Sequence, residues 1–235
     1  MTTPDLHPIR GRAFSHSEPA KPNPRALPDR GLYLITPGTL DSDATWTLTD
    51  ALLASGAVRW LQYRDKLAPP ESRHARARRL RAISRTHGTA LVINDEVALA
   101  SACGADGVHL GEDDGDPAAA RDALGASALI GVSCYDSLDR AEQAISAGAD
   151  YVAFGAFYPS RSKSAPRRAS TGLLRTAAEQ GWPAVAIGGL EADNVAPIIE
   201  AGARWTAMIH GIYGAEDPLL EARRIQELFA QGSES

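Results

Sequence analysis

The stretch "SLDRAEQAISAGADYVAFG", Ser137 to Gly155, decides the fold. It opens as a helix-patterned segment, closes on a glycine suited to a left-handed cap, and passes directly into the apolar run "YVAFG". The same unit recurs about every 25 residues from Gly31 onward. The strand candidates are "LYLIT", "VRWLQYR", "ALVIND", "GVHL", "ALIGVS", "YVAFG", "AVAIGG" and "TAMIH". Between them lie helical segments such as "TWTLTDALLAS", "PESRHARARRLRAISRTH" and "EADNVAPIIEAG". Strict alternation of strand and helix demands a parallel sheet. Eight units over about 200 residues predict an α/β fold, a single (β/α)8 TIM barrel over residues 31–232. An open doubly wound sheet is the alternative, but "LITPGTL" stands after the first strand in place of a G-x-G-x-x-G fingerprint.

Composition narrows the function. Hydrophobic residues make up 44% of the 235, enough for a large core, and the formal charge is −5. No global basic field recruits nucleic acid, so an anionic ligand must be held by local positive groups and backbone N–H. No apolar run reaches the ~18–20 residues of a membrane span. Two cysteines, Cys103 and Cys134, form no C-x-x-C pair, which fits a reducing cytoplasm and argues against a structural zinc site. Both are expected to pack. Residues 1–30 are rich in proline and polar residues, have no apolar periodicity and no secretory h-region, and read as a disordered N-terminal extension.

A barrel of this kind places its chemistry at the C-terminal ends of the strands. Strand two ends "LQYRDK", and alternation puts Gln62, Arg64 and Lys66 on one side. The two cations either enter the mouth or form a solvated pair. Strand three ends "VINDE", where Asn94 and Asp95 either cap the next helix or face a ligand. Strand four runs into "GEDD", an acidic turn that could serve a helix N-terminus. The functional reading joins Asp95 to an acid of that turn across neighbouring strand ends, as Mg2+ sites often do. In "IGVSCYD" Gly131 and Ser133 share a face, the glycine leaving room for a ligand. Strand six spills into "GAFYPSRSK", which carries Ser160, Ser162 and Lys163. Gly189, in "AIGGL", and the "MIHGIYG" turn stand where such barrels often bind phosphate. His109, inside strand four, is expected to be packed and hydrogen-bonded. One side of the mouth thus gathers Arg64, Lys66, Asn94, Asp95, Asp114 and Lys163, suited to a diphosphate and metal. The other gathers Ser160, Ser162, Gly189 and the strand-eight turn, suited to a monophosphate.

"LQYRDK", "INDEVALA", "GADGVHLGEDD", "IGVSCY", "GADYVAFGAFYPSRSK" and "AIGGLEADNV", in this order, resemble the thiamine phosphate synthase family from about Gly31 to Leu228. The resemblance implies a transferase, EC 2.5.1.3. It joins 4-amino-2-methyl-5-hydroxymethylpyrimidine diphosphate to a thiazole phosphate and releases diphosphate by a dissociative, Mg2+-assisted route. It also implies roles. Gln62, Arg64, Lys66, Asn94, Ser133 and Lys163 would bind the pyrimidine diphosphate, with Arg64, Lys66, Lys163 and Ser133 catalytic. Asp95 and Asp114 would be the metal ligands. Ser160, Ser162, Gly189 and the backbone around Ile209 and His210 would hold the thiazole phosphate. A homodimer is suggested by the same resemblance.

The sequence departs from the family pattern at Glu112, where glutamine is usual, and at His210, where serine is common. "SCYD" lacks a histidine often found after the strand-five serine. The rival readings are a thiazole tautomerase of the same superfamily and a non-catalytic barrel that binds a phosphorylated ligand. Retention of Arg64, Lys66, Asp95, Asp114 and Lys163 together favours the synthase.

Overall fold

The computed structural model describes residues 27–38, 40–159 and 167–232. Eight parallel strands close into a barrel in chain order. They are β1 Gly31–Ile35, β2 Val58–Tyr63, β3 Ala90–Asn94, β4 Gly107–Leu110, β5 Leu129–Tyr135, β6 Tyr151–Gly155, β7 Ala184–Ile187 and β8 Trp205–Met208. The helices between and after them are α1 Asp43–Ala54, α2 Pro70–Thr86, α3 Val97–Cys103, α4 Pro117–Leu124, α5 Leu138–Ser146, α6 Thr171–Glu179, α7 Ala196–Glu200, α8 His210–Tyr213 and α9 Pro218–Gln231. The open sheet is thereby excluded, because β1 pairs with both β2 and β8.

Strand periodicity separates two cores. Leu32, Leu34, Leu61, Leu91, Ile93, Val108, Ile130, Val152 and Phe154 face outward against the helices. Tyr33, Trp60, Tyr151, Val185 and Trp205 face inward and fill the lumen with Ile35, Val92 and Ala207. The lumen is aromatic: Trp60 and Trp205 have ring centroids 4.7 Å apart, and Trp60 and Tyr151 4.8 Å, both edge to face. Edge-to-face contact is the favoured arrangement for such rings.

The glycine that closes α5 belongs to a recurring turn. Gly148 has φ +94°, and the next N–H, from Ala149, bonds back to Ala144 O at 2.9 Å. The same six-to-one bond follows Gly88, Gly104, Gly181 and Gly202, each at positive φ. A residue with a Cβ would be strained there, so glycine marks each helix-to-strand passage. Two of these turns carry an aspartate with a second duty. Asp106 accepts from Leu91 N and pairs with Arg81. Asp150 accepts from Ile130 N and pairs with Arg121. Each satisfies an N–H at the foot of the preceding strand and ties a helix to the barrel floor.

The boundary at residue 30 moves. Leu27 packs on the lumen cluster. Trp205 Nε1 donates to Asp29 O at 2.9 Å, and Arg30 lies over the Phe229 ring. Residues 27–30 therefore cover the floor of the barrel rather than belonging to the extension, and Asp29 O satisfies the Trp205 indole N–H. The disorder expected of residues 1–26 lies outside the described residues. Cys134 is fully buried on the outer face of β5, where burial pushes its thiol up to about 12, and Cys103 is half-buried. Among the described residues no helix is long and apolar enough to cross a membrane.

Candidate active site

The C-terminal mouth brings β2, β3 and β4 together around charge. Lys66 Nζ lies 2.9 Å from Asp95 Oδ2. Asp95 in turn lies close enough to the Asp114 carboxyl for each to shift the other's ionisation. Asp95 has φ +65°, a left-handed conformation uncommon for a residue with a side chain. The turn is held by Asp95 N donating to His109 O at 2.8 Å. Neither acid caps a helix. The N-cap of α3 is Glu96 and that of α4 is Asp116. Asp114 instead accepts from Gly111 N at 2.9 Å. A Cβ at Gly111 would lie 2.3 Å from Asp114 Oδ2, so the glycine lets that carboxylate fold back toward Asp95. The capping explanations open to the sequence therefore fail, and strain at Asp95 is retained at the mouth.

Electrostatics agree with this geometry. Burial opposes ionisation of Asp95, but the Lys66 ammonium and the bond from Asp114 outweigh it and hold the carboxyl below its usual range. Asp114 is pushed the other way, by burial and then by the bond to Asp95 and its charge. Two carboxyls that meet in this way need a proton or a cation between them. Among the described residues no group of three His, Cys, Asp or Glu forms a metal cluster. Two carboxylates suit Mg2+, which keeps several waters and takes further oxygens from a substrate. A cleft of about 420 Å³ opens beside the pair, lined by Asp65, Lys66, Arg73, Asn94, Asp95 and Glu96.

The remaining residues of this wall take their places from the strands. Gln62 is buried at the top of β2, and its Nε2 donates to Tyr33 Oη at 2.9 Å. Arg64 is fixed through its backbone: its N–H donates to Thr36 Oγ1 at 3.0 Å. Asn94 ends β3, in register with His109. Ser133 Oγ lies 2.9 Å from His109 Nε2. His109 is buried as expected, and burial drives its imidazole down to about 4, so it is neutral near pH 7. Gly131 serves a different purpose from the one expected. A Cβ there would sit 2.0 Å from the Tyr151 ring, so the glycine makes room for a tyrosine rather than a ligand.

The opposite wall is made of backbone. Gly188 and Gly189 follow β7 at φ +104° and +64°. A Cβ at Gly189 would lie 2.4 Å from Pro159 O and 2.8 Å from Tyr158 O. Asn194 staples this turn, donating to Gly189 O and accepting from Glu191 N, both at 2.9 Å. Ile209 and His210 open α8 just beyond β8, and the exposed His210 ring lies against Gly214. Ser160, Ser162 and Lys163 lie outside the described residues.

Three features escaped the sequence reading. Asp65, between the two cations of "YRDK", is buried and its carboxylate is taken up by groups of the protein itself. It accepts from Leu67 N, Ala68 N, Tyr63 Oη and Arg76, and so fixes the loop that carries Arg64 and Lys66. Arg140 on α5 donates to Ser133 O at 2.7 Å and to Gly111 O at 3.4 Å, tying the ends of β4 and β5. Glu112 pairs with Arg140 and Arg167, and Arg167 also lies over the Tyr135 ring. Alternation along "LQYRDK" sets Asp65 apart from Gln62, Arg64 and Lys66. The arginine contacts depend on which loops meet, and nothing in the linear order shows that.

Fold and site together define a TIM-barrel enzyme with its polar side chains gathered at the C-terminal mouth. A family model described as thiamine monophosphate synthase matches residues 32–212. The chain is 51% identical over 202 residues to the thiamine-phosphate synthase of Xanthomonas campestris pv. campestris (strain 8004), covering 86% of this chain and 97% of that one. It is 52% identical over 202 residues to the thiamine-phosphate synthase of Azoarcus sp. (strain BH72), covering 86% and 98%. The solved thiamine phosphate pyrophosphorylase of Pyrococcus furiosus superposes with a TM-score of 0.75 at 30% identity, covering 86% of this chain and 96% of that one. The chain belongs to the thiamine monophosphate synthase family, transferases of thiamine biosynthesis.

Proposed function

We infer that the protein joins 4-amino-2-methyl-5-hydroxymethylpyrimidine diphosphate to a thiazole phosphate, giving thiamine phosphate and diphosphate. The observation that carries this reading is the Lys66–Asp95–Asp114 cluster beside Gln62, Asn94 and Ser133. A tautomerase or a phosphate sensor has no use for such a charged wall. The pyrimidine ring lies between Gln62 and Ser133, which present hydrogen-bonding groups from β2 and β5. Its diphosphate extends toward Arg64 and Lys66. Asp95 and Asp114 would hold Mg2+, which would supply neutralisation of charge on the diphosphate.

The reaction breaks the bond between the pyrimidine methylene carbon and the diphosphate oxygen. The electron pair leaves with diphosphate, and the fixed cations Arg64 and Lys66 stabilise the charge gathering there. The thiazole nitrogen then forms the new C–N bond to the methylene cation. No protein base is required, and His109 is committed to hydrogen bonds within the lumen. Gly189 and the main chain at Ile209 and His210 serve the thiazole phosphate through backbone N–H, so a histidine in place of serine is compatible with binding. Ser160, Ser162 and Lys163 complete the two phosphate sites in this reading.

Purified protein with both substrates and Mg2+ should form thiamine phosphate, read by fluorescence after oxidation to the thiochrome. Absence of product with both substrates and metal present would exclude the synthase reading. Isomerisation of the thiazole phosphate alone would establish the tautomerase instead.

A further inference from the structure

Below the mouth, five polar side chains from five strands form a continuous chain across the lumen. Gln62 Nε2 donates to Tyr33 Oη at 2.9 Å. Tyr33 Oη lies 3.0 Å from Tyr151 Oη, which lies 3.1 Å from His109 Nδ1. His109 Nε2 lies 2.9 Å from Ser133 Oγ. Gln62, Tyr33, Tyr151 and His109 are all buried, so water does not supply alternative partners at each step. Rings hold the members in place: His109 stacks on Tyr151 with centroids 5.6 Å apart. The two ends of this chain are the two groups assigned to the pyrimidine.

Each hydroxyl has one proton and a neutral imidazole has one N–H, so one choice propagates through all five groups. With the Gln62 amide donating to Tyr33, the Tyr33 proton goes to Tyr151. The Tyr151 proton goes to His109 Nδ1. His109 then carries its hydrogen on Nε2 and donates to Ser133 Oγ. The Ser133 proton is left for the mouth, and the Gln62 carbonyl oxygen is the amide acceptor outside the chain. Turning the amide over reverses every bond, and Ser133 then donates inward and offers only an acceptor.

We propose that this chain is a proton-order relay: it couples Gln62 to Ser133 across the lumen, and Tyr33, Tyr151 and His109 are positioning residues that set the donor and acceptor roles of both ends. In the arrangement present, an acceptor at Gln62 and a donor at Ser133 match a ring that carries an amino group and ring nitrogens. The reversed arrangement matches an oxo-pyrimidine instead. The match to an aminopyrimidine rests on the substrate reading above; the relay itself does not. Gly131 belongs to the device, since a Cβ there would lie 2.4 Å from the Tyr151 hydroxyl.

The direct test is the tautomer of His109, read from its ring nitrogen shifts in the 15N-histidine-labelled protein and assigned by the loss of its signals in His109→Gln. The native protein should show hydrogen on Nε2. Gln62→Glu, ionised at pH 8, can only accept from Tyr33 and should move the hydrogen to Nδ1. The same substitution in a Tyr151→Phe background should leave it on Nε2. Hydrogen on Nδ1 in the native protein, or a tautomer unmoved by Gln62→Glu alone, would overturn the relay. If Gln62→Glu does not fold, the native tautomer decides. None of these readouts needs substrate, so they stand apart from whether thiamine phosphate is made. In protein that makes product, the effects of Gln62→Ala and Ser133→Ala on kcat/KM should depart from multiplicativity by about 10-fold. In a Tyr151→Phe background they should multiply. Multiplicative effects in the native background would refute the coupling.

Discussion

On the β2–β4 side of the mouth, position is held by side chains: Lys66 on Asp95, Asp95 on Asp114, and Asp65 on Arg76 behind them. On the β7–β8 side it is held by main chain: two glycines at positive φ, stapled by Asn194, and the short turn of α8. The first wall concentrates charge and depends on residue chemistry. The second depends on close approach, and almost any added atom would block it. A single barrel mouth therefore has two kinds of wall, one tuned by replaceable side chains and one by conformations that only glycine tolerates.

The largest test of this contrast is Asp95→Ala. It removes the hub of the charged wall and should lower kcat/KM by about 100- to 1000-fold, with thermal stability little changed. Steady-state thiamine phosphate formation beside a melting curve checks both. A loss of less than 10-fold would move the chemistry away from this wall. Next is Arg76→Ala, which strips a buried carboxylate of its cation: the Asp65 side chain is 1% exposed. We expect a cost of about 3 kcal/mol in urea unfolding.

Asp65 also sets a pH dependence. Burial alone would raise its carboxyl, but the N–H of Ala68, the Arg76 guanidinium and the N–H of Leu67 outweigh this and hold it below its ordinary range. A depressed folded value means the stabilisation is fully present above the unfolded carboxyl value of about 4 and is lost as pH falls through the folded one. Asp65→Asn should therefore flatten the fall in stability below about pH 4, as measured by denaturation from pH 7 to 2.

A smaller and more selective effect is expected from Gly189→Ala. The new Cβ meets Pro159 O and Tyr158 O in a left-handed turn, and strain there is of the order of 1–3 kcal/mol. KM for the thiazole phosphate should rise about 10-fold while KM for the pyrimidine diphosphate changes by less than about 2-fold. Equal increases would merge the two walls into one site. The smallest effect belongs to Glu112→Gln. Its partners Arg140 and Arg167 meet it near the surface, where such pairs contribute no more than about 1 kcal/mol. Activity within about 2-fold of native would show that the departure from the usual glutamine is tolerated.

Much of this is legible in the sequence. Alternating apolar runs and helical segments, each passage marked by glycine, specify a closed parallel barrel because every βα unit has the same short-range period. Gln62, Asn94, Asp95, Asp114 and Ser133 were readable as strand-end residues for the same reason. Asp95 and Asp114 also had capping explanations in the sequence, and only the left-handed turn at Asp95 and the bond from Gly111 to Asp114 removed them. Asp65 was hidden between two more conspicuous cations. That Gly131 makes room for a tyrosine rather than a ligand is not legible in the sequence, because that tyrosine lies on the next strand, 20 positions along the chain.

The sequence by itself determined the fold class, the end of the barrel that carries the chemistry, and the residue types there, because these follow from local periodicity and from the chirality of βαβ connections. The tertiary structure alone decided which groups touch: the Lys66–Asp95–Asp114 cluster, the arginine ties between β4 and β5, and the chain from Gln62 to Ser133. Those contacts bring together groups from different strands, loops and helices. Their geometry is set by barrel closure and register, which no single segment encodes.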